Sequence, residues 1–254
     1  VALVPRRGLV LLGADSAEAA ALAAGARSRV QTFGLIDGVT WQATDIEQAG
    51  AGTRFALRGP GGLAATLEVP LLGAHNVRNA LAAVAVAREC GLSIDAIRAG
   101  LASFRGVKRR LEVVGERRGV TVYDDFAHHP TAVAETIAAL RAARPGRRLW
   151  ALFEPRSASS CRRVFQDAFA TAFGAADHVI IAPVFRSTLP EAERLSVADL
   201  VRDLGAAGVD ARELPSVEAI VDAVAGEATA GDDVLVMSNG GFGGIHHRLI
   251  EALA

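Results

Sequence analysis

The chain has 254 residues, about half of them hydrophobic, and its 27 Lys and Arg nearly balance 28 Asp and Glu for a formal net charge of −1. Such near-neutrality gives no uniform field for attracting a polyanion, and the sparse aromatics are not interleaved with basic residues, so no nucleic-acid partner is expected. No apolar run reaches the roughly 18 residues of a membrane span and no cleavage-site pattern closes a signal peptide, so no membrane partner is expected either. Two cysteines, Cys90 and Cys161, lie outside any CxxC spacing and read as free thiols of a cytoplasmic protein.

In chain order, an apolar run at 8–12 leads into an alanine-rich stretch at 16–24 that Gly25 can stop, which reads as one βα unit. Segments 28–35, 39–44, 55–58 and 64–69 are short and β-prone. Turns such as Asp37-Gly38 and the GPGG of 59–62 separate them, predicting an antiparallel meander. The spacing of Leu81, Val84 and Ala85 predicts a helix over 75–89, ended by Gly91, and Ser93 caps another that begins at Ile94. The stretch 103–110, with Gly106 among basic residues, breaks the pattern and reads as a hinge between a domain of residues 1–106 and one of 107–254.

Beyond it the alternation is regular. Strands are predicted at 111–114, 120–123, 149–153, 178–182, 211–214 and 234–238, with helices at 131–143, 161–173, 197–204, 217–224 and from Gly244 onward. This pattern implies an α/β domain, a Rossmann-like and mostly parallel sheet with helices on both faces. Ligands of such sheets sit outside the carboxyl ends of the strands, where loops enter helix N-termini whose free N–H groups favour anions.

Three polar loops occupy those ends: DDFAHHP at 124–130, EPRSASS at 154–160 and SNGGFGG at 238–244. In the first, Pro130 suits the first turn of a helix, which puts His128 and His129 at its entrance beside Asp124 and Asp125. Those carboxylates suit ribose hydroxyls or a metal; the plainer reading is a helix cap and a packed histidine. A zinc site lacks further ligands at the right spacing, since His246 and His247 belong to another helix. Arg156 suits a carboxylate, although a lone arginine is more often a surface residue. In GAHNVRNALAA (73–83), Asn76 and Asn79 share one helix face and suit an adenine edge, unless Asn76 is an N-cap and Asn79 a solvated residue. Arg109 and Arg110, in GVKRRLE (106–112), suit phosphate or form an ordinary basic linker.

Together, GxHNxxNALAA, GxKRRLE, DDFAHHPT, FEPRS and SNGGFGG resemble the Mur ligase family from about Gly73 to the end. HNxxN with RR(L/F)E and DD(Y/F)xHHP is most similar to members that act on UDP-N-acetylmuramate. FEPRSASS and SNGGFGG favour, within these, attachment of the murein tripeptide L-alanyl-γ-D-glutamyl-meso-diaminopimelate over attachment of L-alanine. The resemblance implies that His75, Asn76 and Asn79 hold the adenine of ATP, Arg110 meets its phosphates and Asp125 the ribose. It further implies that His128, Arg156, Ser157, Ser238, Asn239, Gly240 and Gly241 face the incoming peptide and the acyl phosphate. His128 and Arg110 would be the catalytic pair. The implied reaction is phosphorylation of the muramoyl carboxylate by ATP and Mg²⁺, attack by the peptide's amine, and release of ADP and phosphate.

The sequence departs from that pattern in one respect. It contains no GxxGKT(T/S) loop, its single lysine is Lys108, and GPGG lacks the lysine that cradles phosphates. The first domain is therefore expected to be the trailing part of a truncated α/β central ATPase domain, with the metal ligands and a UDP-binding domain upstream. The second is expected to be the C-terminal ligase domain, and the chain alone to be inactive.

Overall fold

The structure, a computed structural model, describes residues 1–185 and 188–254. Two compact units divide the chain at Gly106. In the first, β1 (Leu9–Gly13) passes through α1 (Ala17–Ala21) into β2 (Arg29–Gly34), and β3 (Trp41–Ala49), β4 (Gly52–Gly59) and β5 (Leu63–Val69) follow. The Ser16 hydroxyl accepts the Ala19 N–H at 3.2 Å and starts α1, which tightens into a 3₁₀ turn, Leu22–Gly25. The five strands form one sheet in sequence order.

The predicted meander is correct for β3, β4 and β5, which pair antiparallel, and wrong for β2, which runs parallel to both β1 and β3. Two features account for this. The α1 crossover returns the chain beside β1 in the same direction. After β2 the chain reverses at Asp37-Gly38, where Gly38 has φ of 80°. Thr32 and Thr40 then each receive the other's backbone N–H on the hydroxyl, at 3.0 and 3.1 Å, before β3 sets off alongside Phe33 and Gly34. The GPGG segment closes the β4–β5 hairpin, with φ of 69° and 76° at Gly61 and Gly62. Those positive angles explain Gly61 and Gly62 without any ligand.

Helix α2 (Ala74–Glu89) lays Val77, Ala80, Leu81, Val84 and Ala85 against Trp41, Phe55, Leu57 and Leu67 of that sheet. The Ser93 hydroxyl accepts the Ala96 N–H at 3.2 Å and starts α3 (Ile94–Ser103), as its position predicted.

The second unit contains β6 (Glu112–Arg117), β7 (Val120–Asp125), α4 (Pro130–Ala143), β8 (Leu149–Phe153), α5 (Gln166–Ala172), β9 (His178–Ile181) and α6 (Val197–Ala206). It ends with β10 (Asp210–Glu213), α7 (Val217–Glu227), β11 (Asp233–Met237) and α8 (Ile245–Ala252). The sheet order is β10-β9-β8-β11-β7-β6, parallel throughout except for the β6–β7 hairpin. Strands β8 and β11 are buried along their whole length, as central strands covered on both faces must be. Residues from α4, α5 and α6 build the core on one face, and residues from α7 and α8 that on the other.

The helix predicted over 161–173 begins later, at Gln166, after a 3₁₀ turn. Ser157 and Ser160 each accept the other's backbone N–H on the hydroxyl at 2.9 Å, and this closed turn competes with helical geometry. At the amino end of the sheet, Arg148 grips the buried carboxylate of Asp232 at 2.7 and 2.9 Å, and the Trp150 indole N–H donates to it at 3.0 Å.

Phe153, fully buried, meets the rings of Phe169 and Phe173 at centroid distances of 5.1 and 5.5 Å. Phe153→Ala should cost about 3–5 kcal/mol. The two tryptophans fall one in each unit. In a Trp41→Phe background, denaturation followed by Trp150 fluorescence reads the second unit alone, and an unchanged midpoint would contradict this core assignment.

Candidate functional site

The site is built on the carboxyl ends of β7, β8 and β11, and the chain that enters the second unit ties the ends of β7 and β11 together. Arg109 and Leu111 both adopt the left-handed region, with φ of 61° and 47°, a conformation costly for side-chain-bearing residues. Each is held by hydrogen bonds. The Arg109 guanidinium contacts Asp124 at 3.2 Å from Nε, and from one terminal nitrogen it donates to the carbonyls of Ser238 and, at 2.9 Å, Gly240. The Arg109 N–H donates to Glu112 at 2.8 Å, its carbonyl accepts the Phe126 N–H at 2.9 Å, and the Leu111 N–H donates to Asp125 at 2.8 Å. Between these two anchored residues, Arg110 is exposed. Among the described residues its guanidinium has no ion pair or hydrogen bond. The basic pair thus divides: Arg109 is structural and Arg110 is left available.

The two neighbouring carboxylates are held in different ways. Asp124 is reached by Arg109 and by His246 Nε2 of α8, which lies 3.0 Å away without the alignment of a hydrogen bond. Burial pushes its carboxyl up, but His246 and Arg109 outweigh that and hold it below the usual carboxylate range. Asp125 is 2% exposed and accepts the N–H groups of Leu111 and Ala127, each at 2.8 Å. There burial prevails over those bonds and over the nearby Arg110 charge, and the group lies above its usual range. Neither aspartate caps α4. The cap is His129, whose ring accepts the Thr131 N–H at 3.3 Å, with Pro130 in the first turn. His128 Nδ1 lies 2.8 Å from the Phe126 carbonyl. A carbonyl only accepts, so Nδ1 carries the proton and a neutral ring keeps Nε2 as an acceptor.

The second and third loops lie against each other. Glu154, at the end of β8, accepts the Ser238 hydroxyl at 2.5 Å, and that hydroxyl accepts the Gly240 N–H at 2.9 Å. Arg156 crosses directly over Gly240, where any Cβ would overlap its side chain. Its guanidinium also stacks on Phe185, 3.6 Å from the ring centroid. Ser157 is buried in the Ser157–Ser160 turn. Asn239 Oδ1 is shielded from solvent with no hydrogen-bond partner among the described residues, and Gly241 is exposed beside it. An orphaned acceptor of this kind requires an explanation, and a ligand donor is one.

His75, Asn76 and Asn79 belong to the first unit, on the opening turns of α2. Gly73 is the N-cap, so Asn76 is not. Its amide donates to the Leu72 carbonyl at 2.8 Å and accepts from the exposed Asn79 amide at 3.4 Å, so the two amides do share one face. Among the described residues no three of His, Cys, Asp and Glu are grouped to hold a metal ion. No helix is long and apolar enough to cross a membrane.

Two family profiles match the chain: "Mur ligase middle domain" over residues 1–87 and "Mur ligase, glutamate ligase domain" over residues 109–240. A Haemophilus influenzae protein named UDP-N-acetylmuramate–L-alanyl-γ-D-glutamyl-meso-2,6-diaminoheptandioate ligase is 37% identical over 252 residues, covering 98% of this chain and 53% of the relative. A Desulfitobacterium hafniense UDP-N-acetylmuramate–L-alanine ligase is 32% identical over 241 residues, covering 93% of this chain and 52% of the relative. The crystal structure of a murein peptide ligase from Psychrobacter arcticus superposes with a TM-score of 0.73 at 33% identity, over 100% of this chain and 52% of that one. The chain thus spans about half the length of the relatives it matches.

The two aspartates respond to pH with opposite signs. Asp124, held low, contributes stability that is complete above its unfolded pKa of about 3.9 and is lost as pH falls through the folded value. Asp125, held high, contributes below about 3.9 and loses that contribution as pH rises through its folded value. Asp124→Asn should flatten the fall in stability below about pH 4, and Asp125→Asn should remove a decline that sets in as pH rises above about 4. Denaturation midpoints across pH 3–7 read both; changes of the same sign would contradict the assignment.

Proposed function

The chain belongs to the Mur ligase family, and from that premise we propose that the protein carrying it is an ATP-dependent, ADP-forming amide ligase of the cytoplasm. It joins the tripeptide L-alanyl-γ-D-glutamyl-meso-diaminopimelate to UDP-N-acetylmuramate, a reaction of peptidoglycan recycling. One observation carries the reading. Arg109, Glu154 and Arg156 lock the carboxyl ends of β7, β8 and β11 into one polar platform, beside which Arg110 is exposed and, among the described residues, without an ion pair or hydrogen bond.

The residues fit a nucleotide and an amine nucleophile. Asn76 and Asn79 present amide groups on one helix face, suited to an adenine edge, with His75 adjacent. Arg110 suits a phosphate, and Asp125, which accepts two backbone N–H groups and the Thr136 hydroxyl at 3.4 Å, keeps one further lone pair, which suits a ribose hydroxyl. ATP, when bound, supplies the phosphoryl group that activates the muramoyl carboxylate. The chain's own residues position and neutralise. Arg110 and Arg156 offset negative charge on phosphate and carboxylate. Asn239, Gly240 and Gly241 approach the peptide through backbone and amide groups, and His128 Nε2 accepts a proton from the attacking amine.

A second reading, addition of L-alanine alone, is supported by relatives of that name at comparable identity. Competition between L-alanine and the tripeptide for ligation decides between them, and a strong preference for alanine would overturn the first. Since these residues include no GxxGKT(T/S) loop, the chain assayed by itself should show no ATP-dependent ligation, and measurable turnover would contradict that. It should still bind ADP in calorimetry, and Arg110→Ala should weaken that binding by about tenfold, the loss of one charge-assisted contact. Unaltered ADP affinity would remove Arg110 from the site.

A further inference from the structure

Beyond the platform, toward the β10 edge of the sheet, lies a cavity of about 470 Å³ bounded by Arg163, Pro183, Glu191, Arg194, Asp199 and Glu213. This is within the roughly 300–1,000 Å³ of small-molecule sites. Its walls are tied to one another. Arg162 and Arg194 form an antiparallel bridge, and the Leu195 N–H donates to the Cys161 carbonyl at 2.9 Å. The Gln166 amide both donates to and accepts from the Ser196 backbone at 3.0 Å, next to the Ser196 cap of α6.

The charges divide into two sets. Arg163 and Arg202 both contact Asp199, at 3.6 and 2.5 Å, and Arg202 also contacts Asp203 at 3.0 Å, so these two cations and two carboxylates cancel. Arg194, Glu191 and Glu213 have no side-chain ion pair or hydrogen bond among the described residues. Counting the described residues, a lone anion would meet two uncompensated carboxylates in this cavity, and a lone cation an uncompensated guanidinium. A zwitterion satisfies both signs, with a carboxylate in the planar fork of Arg194 and an ammonium at Glu191 or Glu213.

Position selects which zwitterion. Neighbouring strands lie about 4.8 Å apart, so the end of β10 is two spacings, about 10 Å, from the β8 end that carries Arg156, and three, about 14 Å, from the β11 loop. An extended chain covers about 3.5 Å per residue, so a tripeptide spans about 10 Å, and a single amino acid held at the platform does not reach. We propose that this cavity receives the distal α-amino-carboxylate group of a short peptide, with Arg194 as the carboxylate partner. The proposal rests on the tripeptide reading above and makes the cavity the determinant of peptide over single amino acid.

Calorimetry on the chain with the tripeptide and with its analogue ending in L-lysine, which lacks the distal carboxylate, tests it. The tripeptide should bind about tenfold tighter, the worth of one charge-assisted contact. Arg194→Gln should abolish that difference while leaving the lysine analogue's affinity unchanged, and Glu213→Gln should weaken both peptides alike. Tight tripeptide binding indifferent to Arg194, or an equal loss for both peptides in Arg194→Gln, overturns the cavity and leaves the tripeptide reading standing. Failure of the tripeptide to bind the unsubstituted chain overturns both.

Discussion

One guanidinium organises the functional end of the second unit. Arg109 joins Asp124 at the end of β7 to the carbonyls that follow β11, and pays for its left-handed backbone with those bonds. Charge-assisted hydrogen bonds contribute about 1.5–3 kcal/mol each, against about 1–3 kcal/mol for a residue held in a sparsely populated region. The balance favours a fixed turn. Leu111, anchored in the same way through Asp125, closes the other side and leaves Arg110 facing outward. The remaining contacts of the platform, Glu154 with Ser238 and Arg156 over Gly240, depend on the β11 loop that Arg109 holds.

The two ends of the sheet use charge differently. At the amino end, Arg148 is matched by Asp232, and Arg144 and Arg147 both lie within 3.4 Å of the buried Asp233, so charge there is consumed internally and adds rigidity. At the carboxyl end, Arg110, Arg194, Glu191 and Glu213 stay uncompensated among the described residues. Parallel sheets with helices on both faces collect their ligands at the carboxyl end, because helix N-termini and loops meet there. The electrostatics here follow the topology.

Much of this was legible in the residues. Alternating apolar strands and helical periods gave the α/β class and placed all three polar loops at one sheet edge, since strand direction follows from connection length. Elements failed where a local side-chain bond outranked the pattern. The mutual Ser157–Ser160 turn delays α5, and the Thr32–Thr40 pair with the α1 crossover makes β2 parallel where turn residues suggested a meander. Within the site, the type of residue was readable and its employment was not. Nothing in GVKRRLE distinguishes the arginine that clamps from the one that stays free, because that depends on two positive φ angles set by distant acceptors. The link from His246 to Asp124 spans 122 positions and left no local signal; the ending of β8 in a carboxylate, Glu154, was a signal that could have been used.

The closeness of Arg156 to Gly240 has a bearing on how this edge can change through descent. A side chain at position 240 would have to displace the arginine from its seat on Phe185, and a shorter residue at 156 would uncover the bare backbone that glycine provides. What a Cβ would meet there is the outer part of a flexible side chain, so the arginine can yield and the two loops constrain one another softly. Descent can therefore alter one loop first, with the arginine swinging out into water before the other follows.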